Sequence, residues 1–83
     1  MKKFEITQST KEERELVGRN VRALREAQRL TKARLSMMAG LSRQELSKVE
    51  SGEANVTLNT LSRLADALGV GVGDLFAEQP LGK

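Results

Sequence analysis

Apolar residues recur along the chain at spacings of three and four, the repeat of an α-helix that buries one face. The first such stripe consists of Val17, Val21 and Leu24. Similar stripes follow, separated by short polar or glycine-containing connections. The pattern predicts an all-α fold with five helices, at residues 11–28, 32–39, 43–51, 58–68 and 72–76. Residues 1–10 are expected to form an N-terminal arm, residues 11–76 one domain, and residues 77–83 a tail.

The central stretch, residues 30–53, predicts two short helices joined by a tight turn. Thr31 is a good N-cap for the first of them, and Gly40 suits its C-terminal end, where the backbone often adopts a positive φ. Ser42 and Glu45 have the spacing of a capping box that opens the second. An eight-residue helix, a glycine turn and a capped helix are the layout of a helix-turn-helix.

Helical spacing also predicts which side chains face the core. In the second helix these are Leu35, Met38 and Ala39, whereas Met37 is expected to be exposed. In the fourth helix the predicted buried face consists of Leu58, Leu61, Leu64, Ala65 and Leu68.

Composition excludes several kinds of chemistry. The 83 residues include neither cysteine nor histidine, so disulfides, thiolate metal sites and imidazole chemistry are not expected. We therefore predict no metal, no cofactor and no catalytic residue. No apolar run approaches the ~20 residues of a membrane span, and no signal peptide is recognisable, which favours a cytoplasmic protein. The two aromatic residues are too few for the base stacking that single-stranded nucleic acids require.

Basic side chains are concentrated between residues 19 and 48. This segment contains eight basic and two acidic residues, a net charge of +6, whereas the whole chain carries +3. A DNA-binding surface needs such a concentration of positive charge. A solvated helix face can look the same, so charge alone does not decide between them.

Several motifs in order resemble the Cro/C1-type (XRE) family of phage repressors. They are LRE at residues 24–26, LT at 30–31, LSRQELSKVESG at 41–52, TLNTLSRLADALGV at 57–70 and DLF at 74–76. The resemblance implies a five-helix, lambda-repressor-like domain whose third helix enters the major groove of double-stranded DNA. Two positions depart from the family pattern. Lys32 stands where the family usually has Gln, and Ser36 where it prefers Ala.

The resemblance and the chemistry of DNA recognition together nominate contact residues. Arg can hold two acceptors of guanine, and Gln can pair with adenine, through two bonds each. The predicted base-reading residues are Arg43, Gln44, Ser47 and Lys48. The predicted DNA-backbone contacts are Lys32, Ser42, Ser51 and Asn55. Arg22 and Arg29 could face phosphates or only solvent.

Two further predictions concern structure and assembly. The family resemblance implies an ion pair between Arg25 and Glu50 that joins the first and third helices. A homodimer is expected because one recognition helix covers only a few base pairs. The apolar residues predicted for its interface are Val70, Val72, Leu75 and Phe76. The arm, with Phe4 and Ile6 alternating with polar residues, is either disordered or a second contact surface.

The main hypothesis is a dimeric transcriptional regulator that binds a specific DNA sequence. One alternative is the antitoxin of a toxin–antitoxin pair, which would bind DNA and also mask a toxin. Another is the controller protein of a restriction–modification system. An enzyme is not expected, because acidic residues are spread over helix caps and surfaces.

Overall fold

A computed structural model describes residues 10–78 of the chain, which form four α-helices and one short 3-10 helix. These are α1 (Lys11–Ala27), α2 (Lys32–Ala39), α3 (Arg43–Ser51), α4 (Leu58–Leu68) and the 3-10 helix (Val72–Phe76). No strand occurs among these residues, which confirms the all-α class. The predicted arm, except for Thr10, and the predicted tail after Glu78 lie outside the described residues.

The predicted count of five α-helices is not confirmed. Residues 72–76 form a 3-10 helix, in which the Asp74 carboxylate accepts a hydrogen bond from the Gly71 N–H at 2.9 Å. Five residues are too few for several turns of α-helix, and short terminal segments often adopt the tighter 3-10 form. The first helix ends at Ala27, one residue earlier than predicted, and Gln28 is its C-cap.

Short-range hydrogen bonds define where the helices begin. Thr10, Thr31, Ser42 and Thr57 each accept, through the side-chain hydroxyl, from the N–H three residues on. The predicted capping box of Ser42 and Glu45 is present, and Thr10 forms another with Glu13. Gly40 ends α2 in the left-handed region at φ 72°, as its position predicted. These caps satisfy N–H and C=O groups that a helix leaves unpaired at its ends.

The helices enclose one apolar core, to which all four and the 3-10 helix contribute. α1 packs on α3, α2 packs on both α3 and α4, and the 3-10 helix lies against α1 and α4. The buried apolar residues are Val17, Val21, Leu24, Leu35, Ala39, Leu46, Val49, Leu61, Leu64, Ala65, Leu68 and Leu75.

Two side chains predicted to be buried are exposed. Met38 is 47% exposed, because Ser36, which is 3% exposed, takes the inward position beside Leu35. Leu58 is 70% exposed. It shares a face with Leu61 but occupies the first position of α4, beyond the part of the helix that its neighbours cover. The predictions for these two residues were wrong.

Helices α1 and α3 approach closely at Gly18. A methyl group at this position would lie 2.5 Å from the carbonyl oxygen of Val49 and 2.7 Å from that of Glu50. Glycine in a helix interior lowers stability by roughly 1 kcal/mol relative to alanine, so close packing is the compensating gain. This contact presses the C-terminal half of α3 onto α1 and leaves its opposite side toward solvent.

Candidate nucleic-acid interface

Helix α3 has one buried face and one polar, exposed face. Leu46 and Val49 are 0% and 3% exposed and point into the core. On the outer face, Arg43, Gln44 and Lys48 are exposed, and Ser47 is half-buried. The four predicted base-reading residues thus lie together on the first two turns of one helix, a size and shape that fit the major groove of DNA.

The C-terminal end of α3 is fixed by the ion pair between Arg25 and Glu50. Arg25 donates from Nε to Glu50 Oε2 at 2.7 Å and from Nη2 to Oε1 at 3.1 Å. The two side chains are 11% and 4% exposed. Arg25 also donates from Nη1 to the carbonyl oxygen of Leu30 at 2.9 Å. One guanidinium therefore joins α1, the segment that enters α2, and α3.

The hydrogen bond to Glu50 raises the pKa of Arg25 above its ordinary value, although burial of the guanidinium acts in the opposite direction. A raised pKa means that the stabilising interaction is fully present below the ordinary pKa of arginine. The interaction would be lost only as the pH rises through the still higher folded value. Arg25 therefore stays charged, and α3 stays held, throughout the neutral range.

The structure brings together one predicted DNA-backbone contact and one predicted base-reading residue. Lys32 Nζ lies 3.5 Å from Ser47 Oγ, within reach of a hydrogen bond between the start of α2 and the middle of α3. The predicted backbone contact and one predicted base-reading residue therefore form a single continuous polar surface. Ser42, by contrast, uses its N–H and its hydroxyl oxygen in the capping box with Glu45.

The connector between α3 and α4 is anchored to α1. Arg14 donates from Nε to the carbonyl oxygen of Gly52 at 3.1 Å and from Nη1 to Asn55 Oδ1 at 3.4 Å. Ser51 donates its hydroxyl to the Lys48 carbonyl oxygen at 3.1 Å. Two residues predicted to contact the DNA backbone are exposed here: Ser51, the last residue of α3, and Asn55, in the connector.

The basic residues fall into two groups according to their partners. Arg22 pairs with Glu26 at 3.1 Å, and Arg25 pairs with Glu50. Lys32, Arg34, Arg43 and Lys48 have no carboxylate within ion-pair distance among residues 10–78. All four lie on α2 and α3, whereas Arg19, Arg29 and Arg63, which also have no carboxylate within this distance among residues 10–78, lie outside these helices. The helix-turn-helix therefore carries four positive charges that no neighbouring carboxylate offsets. That distribution suits a polyanionic partner.

Two other kinds of site, a metal centre and a membrane span, have no counterpart in the part of the chain described here. Residues 10–78 contain no group of three or more acidic side chains that could hold a metal ion. No helix among them is both long and apolar enough to cross a membrane.

Three of the four residues predicted for a dimer interface reach the surface. Phe76 is 41% exposed, and Val70 and Val72 are half-buried. Leu75 is 0% exposed, because the 3-10 helix turns this side chain into the core between α1 and α4. Assigning Leu75 to an intermolecular surface was therefore wrong.

Several residues that organise the site were not singled out in the sequence. Gly18 sets the approach of α1 to α3, and Arg14 anchors the connector. Asn20 is 5% exposed, and its Nδ2 donates to the carbonyl oxygens of Leu75 and Ala77, each at 2.9 Å. Two features of the sequence could have revealed Gly18 and Asn20. A glycine in a helix interior suggests close packing, and an amide between Val17 and Leu24 interrupts an otherwise apolar stripe.

Comparisons with known proteins agree with this geometry. The sequence matches the helix-turn-helix family over residues 21–75. An immunity repressor protein of Bacillus phage phi105 is 37% identical over 65 residues, covering 78% of this chain and 45% of the repressor. Control protein C.SmaI of Serratia marcescens is 40% identical over 68 residues, covering 82% of this chain and 81% of that protein.

Among solved structures, the restriction-modification controller protein C.AhdI of Aeromonas hydrophila matches with a TM-score of 0.74 and 35% identity. The match covers 76% of this chain and 96% of that chain. The chain thus spans less than half the length of the phage repressor but most of the length of both controllers.

Proposed function

Because the chain belongs to the helix-turn-helix (XRE-type) family, we propose that it regulates transcription by binding a specific sequence of double-stranded DNA. The family assignment agrees with the resemblance seen in the sequence. The observation that carries the proposal is the construction of α3. Its inner face and its C-terminal end are fixed, and Arg43, Gln44 and Lys48 extend from its outer face.

The proposed contacts are of two kinds: contacts that recognise bases (reading) and contacts to the phosphate backbone (holding). Arg43 and Gln44 open α3, so their side chains reach the edges of base pairs first, and Lys48 follows one turn later. Their donors and acceptors match those presented in the major groove. Lys32 at the start of α2, Ser51 at the end of α3 and Asn55 in the connector contact phosphates and fix the register of α3. Ser42 is the weakest of these candidates, because the capping box already occupies its N–H.

The position of Lys32 refines this division. A cation at the first position of a helix opposes the helix dipole, so an external anion would stabilise it there. Its contact with Ser47 directs the ammonium group across α3 instead of away from it. A phosphate next to Ser47 is therefore the partner that we assign to Lys32.

The functional unit is a homodimer that reads two half-sites. A single α3 covers too few base pairs to select one site in a genome, and a two-fold dimer doubles the information read. Phe76, Val70 and Val72 form the surface that we assign to the dimer contact. Exposed phenylalanine beside half-buried valines is a composition found at protein interfaces. The activity places the protein in the cytoplasm, with no catalytic step, metal or cofactor.

Selection of bound duplexes from a random pool tests the proposal. We expect enrichment of one sequence repeated with two-fold symmetry, with half-site centres about one helical turn apart. Light scattering of the protein with the enriched duplex should show two chains per duplex. A pool without enrichment, or one chain per duplex at saturation, would contradict the proposal.

The similarity to the control protein and to the controller protein favours one specific form of this function. In it, the regulator controls a restriction–modification system, and its gene lies beside a methyltransferase gene. The enriched sequence should then occur upstream of that gene pair. Its occurrence only at unrelated promoters would exclude this form and leave DNA binding intact. The antitoxin alternative would instead require a toxin that co-purifies with the protein from its native host.

A further inference from the structure

A single buried amide on α1 holds the chain on both sides of Phe76. The two hydrogen bonds from Asn20 Nδ2 end on the carbonyl oxygens of Leu75 and Ala77. These residues directly precede and follow Phe76 in the sequence. Because an amide nitrogen has two hydrogens, both of its donors are used here. The backbone that presents Phe76 is thus tied to α1.

The same helix holds α3. Gly18, two residues before Asn20, admits the backbone of Val49 and Glu50, and Arg25, five residues after it, binds the Glu50 carboxylate. One stretch of helix therefore contacts both the segment that carries Phe76 and the helix that carries Arg43. An α-helix is stiff over this length, so α1 sets the distance and the angle between the two surfaces.

An apolar side chain at position 20 could pack in the core, but it could not form the hydrogen bonds that link α1 to the Phe76 segment. Asn20 lies among Val17, Val21 and Leu24, all of them buried, and a leucine would continue the stripe. It would leave the carbonyl oxygens of Leu75 and Ala77 without these donors. The short 3-10 helix would then keep its Leu75 anchor but lose the contacts that fix its orientation on α1.

We propose that Asn20 is a positioning residue that orients Phe76 relative to α3 and so sets the half-site spacing at which the dimer binds DNA. This inference rests on the proposed dimeric DNA binding. In a two-fold dimer the contact surface lies on the symmetry axis, and the two copies of α3 lie on either side of it. Any rotation of the Phe76 segment on α1 therefore displaces both reading helices, and the fit to a fixed spacing is lost.

The test compares Asn20→Leu with Gln28→Leu. Gln28 Nε2 donates to the Leu68 carbonyl oxygen at 2.8 Å and links the ends of α1 and α4. This control also removes an amide-to-carbonyl bond from α1 but leaves the 3-10 helix untouched. Each protein is titrated with a duplex that contains one selected half-site and with a series of duplexes that contain two half-sites at different spacings. Thermal melting of each variant is recorded in parallel.

We expect Asn20→Leu to bind the single half-site as the wild type does. At the wild-type optimum spacing its affinity should fall about tenfold or more, since two hydrogen bonds that orient the dimer surface are absent. Its spacing optimum should also broaden or shift. The Gln28→Leu protein should keep the wild-type optimum. If Asn20→Leu does not melt cooperatively, Asn20→Ser, which also lacks the amide but is smaller, takes its place with the same readouts.

An Asn20 variant that melts cooperatively and keeps the wild-type optimum and affinity would overturn the inference. A loss of affinity equal at one and at two half-sites would also overturn it, because it would indicate only a general weakening of the fold. The titration of the wild type distinguishes a failure of the inference about Asn20 from a failure of the proposed dimeric DNA binding. If the wild type itself shows no preferred spacing, dimeric DNA binding is wrong, and the inference fails with it.

Discussion

The carboxylate of Glu50 lies in the fork of the Arg25 guanidinium, held by two hydrogen bonds of 2.7 and 3.1 Å between side chains that are 4% and 11% exposed. Such a two-bond geometry is stronger and more directional than a single contact. It joins residues 25 positions apart in the sequence, at the C-terminal end of α3. The orientation of the helix that we propose reads DNA thus depends on a residue outside the helix-turn-helix.

Glu50→Ala should lower the free energy of unfolding by ~3–5 kcal/mol, because it leaves the Arg25 charge buried without its partner. Arg22→Ala is the control, since it removes an exposed pair with Glu26 whose side chains are 64% and 55% exposed. Arg22→Ala should lower the free energy of unfolding by only ~0–1 kcal/mol. Urea denaturation measures both. Equal effects of the two substitutions would mean that burial does not strengthen the Arg25–Glu50 pair.

Gly18→Ala should destabilise the protein in spite of the higher helix propensity of alanine. The added methyl group would meet two carbonyl oxygens of α3, which belong to the backbone and cannot rotate away. Because both contacts are below 3 Å, we expect an overpacking cost toward the upper end of about 1–3 kcal/mol, which exceeds the propensity gain of about 1 kcal/mol. Gly73→Ala serves as the control, since nothing lies within 4 Å of the added group. A Gly18→Ala protein that melts above the wild type would show that α1 and α3 can separate without loss.

Arg29→Gly should stabilise the protein. Arg29 has φ 58°, and it follows α1 at the place where glycine is preferred, with its N–H bonded to the Glu26 carbonyl oxygen at 3.0 Å. Relief of roughly 1–2 kcal/mol of left-handed strain exceeds the added entropy of glycine in the unfolded chain, for a net gain of about 0.5–1 kcal/mol. Calorimetry should show a higher Tm. A lower one would mean that the Arg29 side chain contributes contacts that outweigh the strain.

Phe76→Ala should weaken the proposed dimer while leaving the monomer folded. Truncation of an aromatic residue at the centre of an interface commonly costs more than 1 kcal/mol, which corresponds to about a tenfold or greater rise in the dimer Kd. Leu58→Ala is matched to it, because Leu58 is also an exposed apolar residue but lies at the start of α4. Sedimentation equilibrium distinguishes them. If both variants associate as the wild type does, the dimer contact lies elsewhere.

The sequence was most informative where structure is determined by neighbouring residues. The bounds of α2, α3 and α4 were predicted to the residue, because Thr31, Ser42 and Gly40 form caps whose partners lie within a few positions. It was least informative where burial depends on another helix. Met38 was predicted to be buried, yet it is exposed, whereas Ser36, two positions earlier, is buried where α2 packs on its neighbours.

In the candidate site, too, the features set by nearby residues could be predicted, and those set by residues distant in the sequence could not. The exposed face of α3 could be identified from helical spacing, because Leu46 and Val49 locate the opposite, buried face. The roles of Asn20 and Gly18 depend on the 3-10 helix and on α3, which are distant in the sequence. No local pattern predicts which carbonyl groups these two residues meet.

The most direct test of the central claim separates reading from holding at two residues of the helix-turn-helix. Binding of Arg43→Ala and Lys32→Ala is titrated at several salt concentrations, against the selected operator and a scrambled duplex. Arg19→Ala controls for the loss of one positive charge, because Arg19 lies on α1, outside the helix-turn-helix.

Arg43→Ala should lose ~1–3 kcal/mol of binding free energy on the operator and little on the scrambled duplex, with relaxed preference at one base pair per half-site. Lys32→Ala should weaken both duplexes alike and reduce the salt dependence by about one counterion per subunit. If Arg43→Ala instead lowers both affinities equally, Arg43 contacts only phosphate. That result would contradict the claim that α3 recognises bases through Arg43.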